Sequence, residues 1–347
     1  MNGNKNKGFT LIEILVSLAI LGIVLAGIYS VYTMQHKSYI VQEQVANMQQ
    51  NERIALHMIT RDIRTAGLGL ACQQAGIILT EDANGSGALD GGEDINGDGL
   101  LTAFGDGVGF DGSDTIAVAY YVFSPNRLSD TTTTAANFNS TSATFQVIDA
   151  TGFSDTEGEN LVIIYNQKDP CNYATVAITN VAEASGTLTH AVGRAIENKP
   201  GGVGPGFSSG DRVRRLTNDG GIITYEIRDG YTLYRTVRKT GDPVVQPLAE
   251  NIEDLQIAYG FDIDSDGVVE PAEWFNALAG HDMTLLREIR VTLVARTTRD
   301  DPEFNVGTRT AVENHAPATN TTEAKYRRRV LQTTIKLRNI DGIGESF

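Results

Sequence analysis

Residues Lys7–Met34 read KGFTLIEILVSLAILGIVLAGIYSVYTM. From Ile14 to Met34 there is no charged side chain, and a stretch of that length crosses a bilayer as one helix. The eight residues before Phe9, MNGNKNKG, are polar and basic through Lys5 and Lys7. A secretory signal peptide also starts basic, but its small-residue cleavage site follows the apolar part. Here the candidate site, at Gly8, precedes it. Glu13 is the one charge between Phe9 and Gln35, and a carboxylate at the edge of an apolar span is costly unless a partner charge meets it.

Working outward from that span, His36 opens a different pattern. Ile40, Val41, Val45, Met48, Ile54, Leu56, Met58, Ile59 and Ile63 are spaced by Gln, Asn, Glu and Arg, which predicts an amphipathic helix. No glycine or proline interrupts residues 28–66, so the apolar helix is expected to run on and stop at Gly67 or Gly69. From Phe9 to Ala66 this is a rod of about 85 Å. Its polar residues Arg53, Arg61, Asp62 and Arg64 are expected either to pair with the rest of the protein or to form a solvated helix face.

The leader and span, KG|FTLIE, resemble the prepilin class of the type IV pilin superfamily. Three further stretches resemble the PilW-type minor pilins: QQNERIALHMITRDIRTAGLG (residues 49–69), PLAENIEDLQIAYGFDIDSDG (residues 247–267) and YRRRVLQTTIKLRN (Tyr326 to Asn339). The last also resembles the J-type pseudopilins of type II secretion. The resemblance implies a leader over residues 1–8, cleavage by prepilin peptidase after Gly8 and methylation of the new Phe9 amine. It also implies a transmembrane segment over 9–35, its amphipathic continuation over 36–66 and a β-rich periplasmic or extracellular head over 67–347. Glu13 is expected to pair with the N-terminal amine of a neighbouring subunit, an attraction that is strong at low dielectric. The implied fold is pilin-like α+β, a long N-terminal helix on a mainly antiparallel sheet. The implied partners are prepilin peptidase, other minor and major pilins and the inner membrane, with the head reaching the cell-surface pilus after assembly.

After Gly69 the chain changes to short β-type runs between Gly, Asp, Asn and Thr clusters. Strands are expected over residues 115–123, 143–149, 161–166, 175–181, 221–227, 231–237, 251–261, 289–297 and 330–337, and loops over 129–142 and 197–210. Within this head, DIDSDGVVEPAE (Asp262 to Glu273) has the spacing of an EF-hand calcium loop. Asp262, Asp264, Asp266, Glu270 and Glu273 supply side-chain oxygens, Val268 a carbonyl, and Gly267 the bend. A strand is expected before it, so the loop is EF-hand-like and set in a sheet; the bland alternative is a hydrated acidic turn. A weaker region holds two successive windows. Asp82, Asn84, Ser86, Ala88, Asp90 and Glu93 fit the first; Asp94, Asn96, Asp98, Leu100 and Thr102 fit the second, where Gly105 stands in place of the closing Glu. Calcium suits such many-oxygen cages better than magnesium does.

In the topology the resemblance implies, Cys72 and Cys171 lie outside the cytoplasm, where disulfides persist. They form either a bridge or two buried thiols. With 28 Lys+Arg against 43 Asp+Glu the formal charge is −15, which disfavours a nucleic-acid surface. The run Arg327–Arg329 opens a strand with alternating faces, so pairing with surplus carboxylates is expected over a basic patch. Five scattered histidines and two cysteines give no zinc site, and no nucleophile–base pair or phosphate loop points to an enzyme. The expected function is that of a minor pilin in pilus priming and assembly. A type II secretion pseudopilin and a membrane-anchored, calcium-stabilised surface binding protein or adhesin are the alternatives.

Overall fold

The computed structural model describes residues 10–68, 76–78, 112–123, 131–135, 144–156, 160–166, 173–190, 206–228, 230–239, 243–278, 281–301, 303–304, 311–315 and 325–337. It opens with one helix, α1 (Leu11–Thr65), of 55 residues. Thr10 caps it, its hydroxyl accepting from Glu13 N at 3.4 Å while Glu13 Oε2 accepts from Thr10 N at 2.9 Å. At the far end Gly67 adopts φ 72°. That left-handed turn lets Gly67 N donate to Ala119 O at 2.8 Å, fastening the helix end to the sheet.

The strands are β1 (Ile77–Ile78), β2 (Ile116–Phe123), β3 (Thr131–Thr133), β4 (Thr144–Gln146), β5 (Leu161–Tyr165), β6 (Tyr173–Ala182), β7 (Thr187–His190), β8 (Arg212–Arg228), β9 (Thr232–Arg238), β10 (Val244–Glu250), β11 (Ile252–Phe261), β12 (Trp274–Phe275), β13 (Leu286–Arg296) and β14 (Arg328–Lys336). All described pairings are antiparallel. The 17-residue β8 organises the larger sheet: its first part lies between β3 and β5, its last part between β2 and β9. The smaller sheet has the order β12-β11-β13-β14. The two meet where Asp114 N donates to Leu255 O (2.7 Å) and Asp114 Oδ2 accepts from Ile257 N (2.6 Å), so a side chain completes the strand-like pairing along β11.

The fold is therefore α+β, one long helix and antiparallel sheets. Its main core lies under α1, where Ala55, Ile59 and Ile63 meet Ile116, Val118, Tyr225, Leu255, Ile257, Val291 and Leu293. A second cluster fills the β4–β7 end around Phe145, Ile178 and Leu188. The structure departs from the sequence expectations at several places: the short strands β1, β7 and β12 were not expected, and three further differences have a physical reason. Residues 131–133, expected within a loop, form β3, because three β-branched threonines suit an extended edge. β8 starts nine residues before the expected strand at 221, its Arg212, Arg214 and Arg215 set around Val213 and Leu216, which are buried in different clusters. β10 escaped notice because Val244 and Val245 are exposed and Pro247 interrupts the pattern, as an edge strand permits.

Candidate functional site

Two halves of α1 have opposite environments. From Leu11 to Tyr39 no side chain is buried, and Leu, Ile and Val project on every side. This part is long and apolar enough to cross a membrane. Glu13 lies at its very start, where its carboxylate serves the cap just described and also accepts from Thr10 Oγ1 at 2.9 Å. Gly8 and Phe9 lie outside the described residues.

The second half buries Met48, Glu52, Ala55, Ile59, Asp62 and Ile63, steps of three and four that make one stripe. Two carboxylates are set in it. Asp62 accepts from Tyr225 Oη (2.6 Å) and Arg235 Nε (2.8 Å), and Arg61 lies alongside it at 3.0 Å. Burial, with the Asp62 charge adding to it, holds the Tyr225 phenol far above the usual tyrosine range. Among the described residues Glu52 has Arg329 Nε at 3.2 Å, and neither of its oxygens accepts a hydrogen bond. Asn51 Nδ2 donates to Glu250 O at 3.1 Å. Of the helix residues expected to pair or lie solvated, Asp62 is buried and bonded, while Arg53 and Arg61 are exposed.

The three consecutive arginines each meet a carboxylate: Arg327 with Asp301 (2.8 Å), Arg328 with Glu253 (2.6 Å) and Arg329 with Glu52. Strand alternation sends Arg328 and Arg329 to opposite faces of the small sheet.

The acidic loop joins β11 to β12. Asp262, Asp264 and Asp266 each offer an oxygen, all within 4.8 Å of one another. The turn is shaped by Ser265 at φ 62° and Gly267 at φ 87°, the latter a conformation that glycine adopts freely. Asp262 Oδ2 accepts from Gly267 N at 3.2 Å, and Asp266 Oδ1 from Val268 N at 2.8 Å. Glu273 is buried and reaches back across the loop, accepting from Ile263 N at 2.8 Å and Glu270 N at 2.9 Å. Glu270 is exposed and, like Glu273, outside the aspartate cluster. Sequence reasoning missed Arg287, whose Nε lies 3.5 Å from Asp262 Oδ2. The weaker windows between Asp82 and Thr102, and both Cys72 and Cys171, lie outside the described residues.

Family models match at both ends of the chain. The prokaryotic N-terminal methylation motif covers residues 3–29, and the family described as type IV pilus-assembly protein W covers residues 224–339. The second match takes in β9 to β14, hence the acidic loop, Arg235 and the arginine run. Among solved structures, a type IV-like pilin from Thermus thermophilus matches with 13% identity over 35% of this chain and 68% of that one, at a TM-score of 0.21. So partial a superposition carries no argument, and the fold rests on the elements above. A comparison with curated protein sequences finds no significant match. The chain is thus similar to the type IV pilus-assembly protein W family over residues 224–339 and to the N-terminal methylation motif over residues 3–29.

Proposed function

We propose that the chain is a minor pilin of the PilW type that takes part in priming and assembling a type IV pilus. The observation that carries this reading is the division of α1: an apolar half with no buried side chain continues without a break into a half locked under the sheets. An isolated membrane anchor needs only the first half. A rod continuous through both transmits position from bilayer to head, as a filament subunit requires. Prepilin peptidase cuts after Gly8 at the inner membrane, the head stands in the periplasm, and the subunit then leaves the bilayer for the pilus. Glu13, at the rod's tip, accepts the amine of a neighbouring pilin.

The test is the number of pili per cell in a deletion strain, with secreted-protein levels as control. Loss of pili with normal secretion is expected, restored by the wild-type chain and not by Glu13→Ala. Normal pili with defective secretion would transfer the chain to the pseudopilins.

The acidic loop is proposed to hold calcium. Its donors are all oxygens and three of them converge, which fits a hard cation; Asp262, Asp264 and Asp266 would hold it, with the Val268 carbonyl. Glu273 would join only by exchanging its backbone donors for the ion. The ion would supply charge neutralisation and fix the β11–β12 connection. Calcium at about a hundred times its dissociation constant stabilises by about 2.7 kcal/mol. Thermal unfolding of the full chain in detergent should rise with calcium and lose that response in Asp264→Ala; a wild-type curve indifferent to chelator rules the site out.

A further inference from the structure

We infer that Glu52 makes the joint between rod and head proton-dependent, the helix holding the sheets more tightly when this carboxyl is protonated than when it is ionised. Glu52 is completely buried within the packing stripe, between Met48 and Ala55, and both its oxygens lack hydrogen bonds. A buried acceptor without a donor is rare in native structures, and a buried ionised one rarer still. Protonation removes the charge and lowers the cost of that burial.

The surroundings offer little else to offset it. From β14 comes Arg329, about one third exposed and 3.2 Å away without a hydrogen bond to it. From α1 itself comes Arg53, exposed. β13 presents Ile289, Val291 and Leu293 to the helix, β2 presents Ile116 and Val118, and β10 presents Leu248 and Ala249, all apolar. Glu250 of β10 is exposed and engages the helix through its carbonyl. In keeping with this, Glu52 titrates above the ordinary value of 4.5, chiefly through burial, with Arg329 and then Arg53 acting in the opposite sense. The folded state thus binds the proton more tightly than the unfolded chain. Stability is full while the carboxyl is protonated and falls as pH rises from the unfolded value through the folded one. The joint is therefore tighter on the acid side of the Glu52 titration than on its alkaline side.

The experiment compares thermal unfolding of the full chain in detergent, wild type against Glu52→Gln, from about pH 5 to about pH 8. Gln keeps the shape and abolishes the titration. Glu52→Gln should melt higher than wild type at about pH 8, and the gap should close on acidification by up to about 3 °C per pH unit. A gap that does not change with pH, or a glutamine variant that melts lower at about pH 8, overturns the inference. Should the glutamine variant fail to fold, infrared titration of the wild-type carboxyls decides. A protonated band is expected to persist above the ordinary carboxylate range and to move to still higher pH in Arg329→Gln; no such band in wild type overturns the inference equally.

Discussion

Asp62 and Glu52 lie on the same face of the same helix, ten residues and about 15 Å apart, and both are buried. They differ in what faces them. Asp62 looks onto β8 and β9, whose Tyr225 and Arg235 aim three donors at or near it together with Arg61. Glu52 looks onto β14 and apolar strands, and receives no hydrogen bond. A buried carboxylate thus fixes a joint only where donors are directed at it; elsewhere it is a liability that packing must outweigh. The rod is pinned near Gly67 by bonds directed at Asp62, whereas around Glu52 it is held by packing, the Asn51–Glu250 hydrogen bond and the Arg329 ion pair.

The largest effect should come from breaking the pinned end. Asp62→Ala strands the half-buried Arg235 guanidinium and the buried Tyr225 hydroxyl, and breaking a fully buried pair costs about 3–5 kcal/mol, so a loss toward the lower end of that range is expected. Denaturant unfolding of the full chain in detergent measures it; a loss below about 1 kcal/mol would show that the network does not hold the helix end. Glu52→Gln, smaller and of opposite sign at neutral pH, sharpens the contrast. One substitution removes a carboxylate the fold uses, the other a charge it tolerates.

Much of this was legible in the residues. The apolar run 14–34 and the spaced Met48, Ile59 and Ile63 announce a continuous helix, and the β-branched runs announce an antiparallel head. The aspartate spacing at 262–266 likewise predicts a convergence that the structure contains. Pairings across the sheets were not legible, because Arg235 and Asp62 are joined by tertiary contact over 173 residues and no local period encodes that. Arg287 was missed for the same reason: it stands outside the loop's own spacing, on β13. Glu52 carried a usable signal. It falls four residues after Met48 and three before Ala55, on the stripe itself, where an acidic residue contradicts the helical pattern around it.

The smallest effect separates contact from stabilisation. Lys37 Nζ lies 2.8 Å from Glu303 Oε1, as short as the bond Arg235 makes to Asp62, yet the two side chains are 68% and 76% exposed. Glu303 is the main cause of an upward shift at Lys37, whose stabilising share is complete below the usual lysine value and is lost only as pH rises through the folded one. No pH dependence from this pair is expected near neutrality. Water screens it and two long side chains must be ordered to make it, so Lys37→Ala should leave the melting temperature within experimental scatter. A drop comparable to that of Asp62→Ala would reverse the lesson of the two carboxylates. It would place the strength of the joint in exposed pairing between the rod and Glu303, and not in donors directed into its buried face.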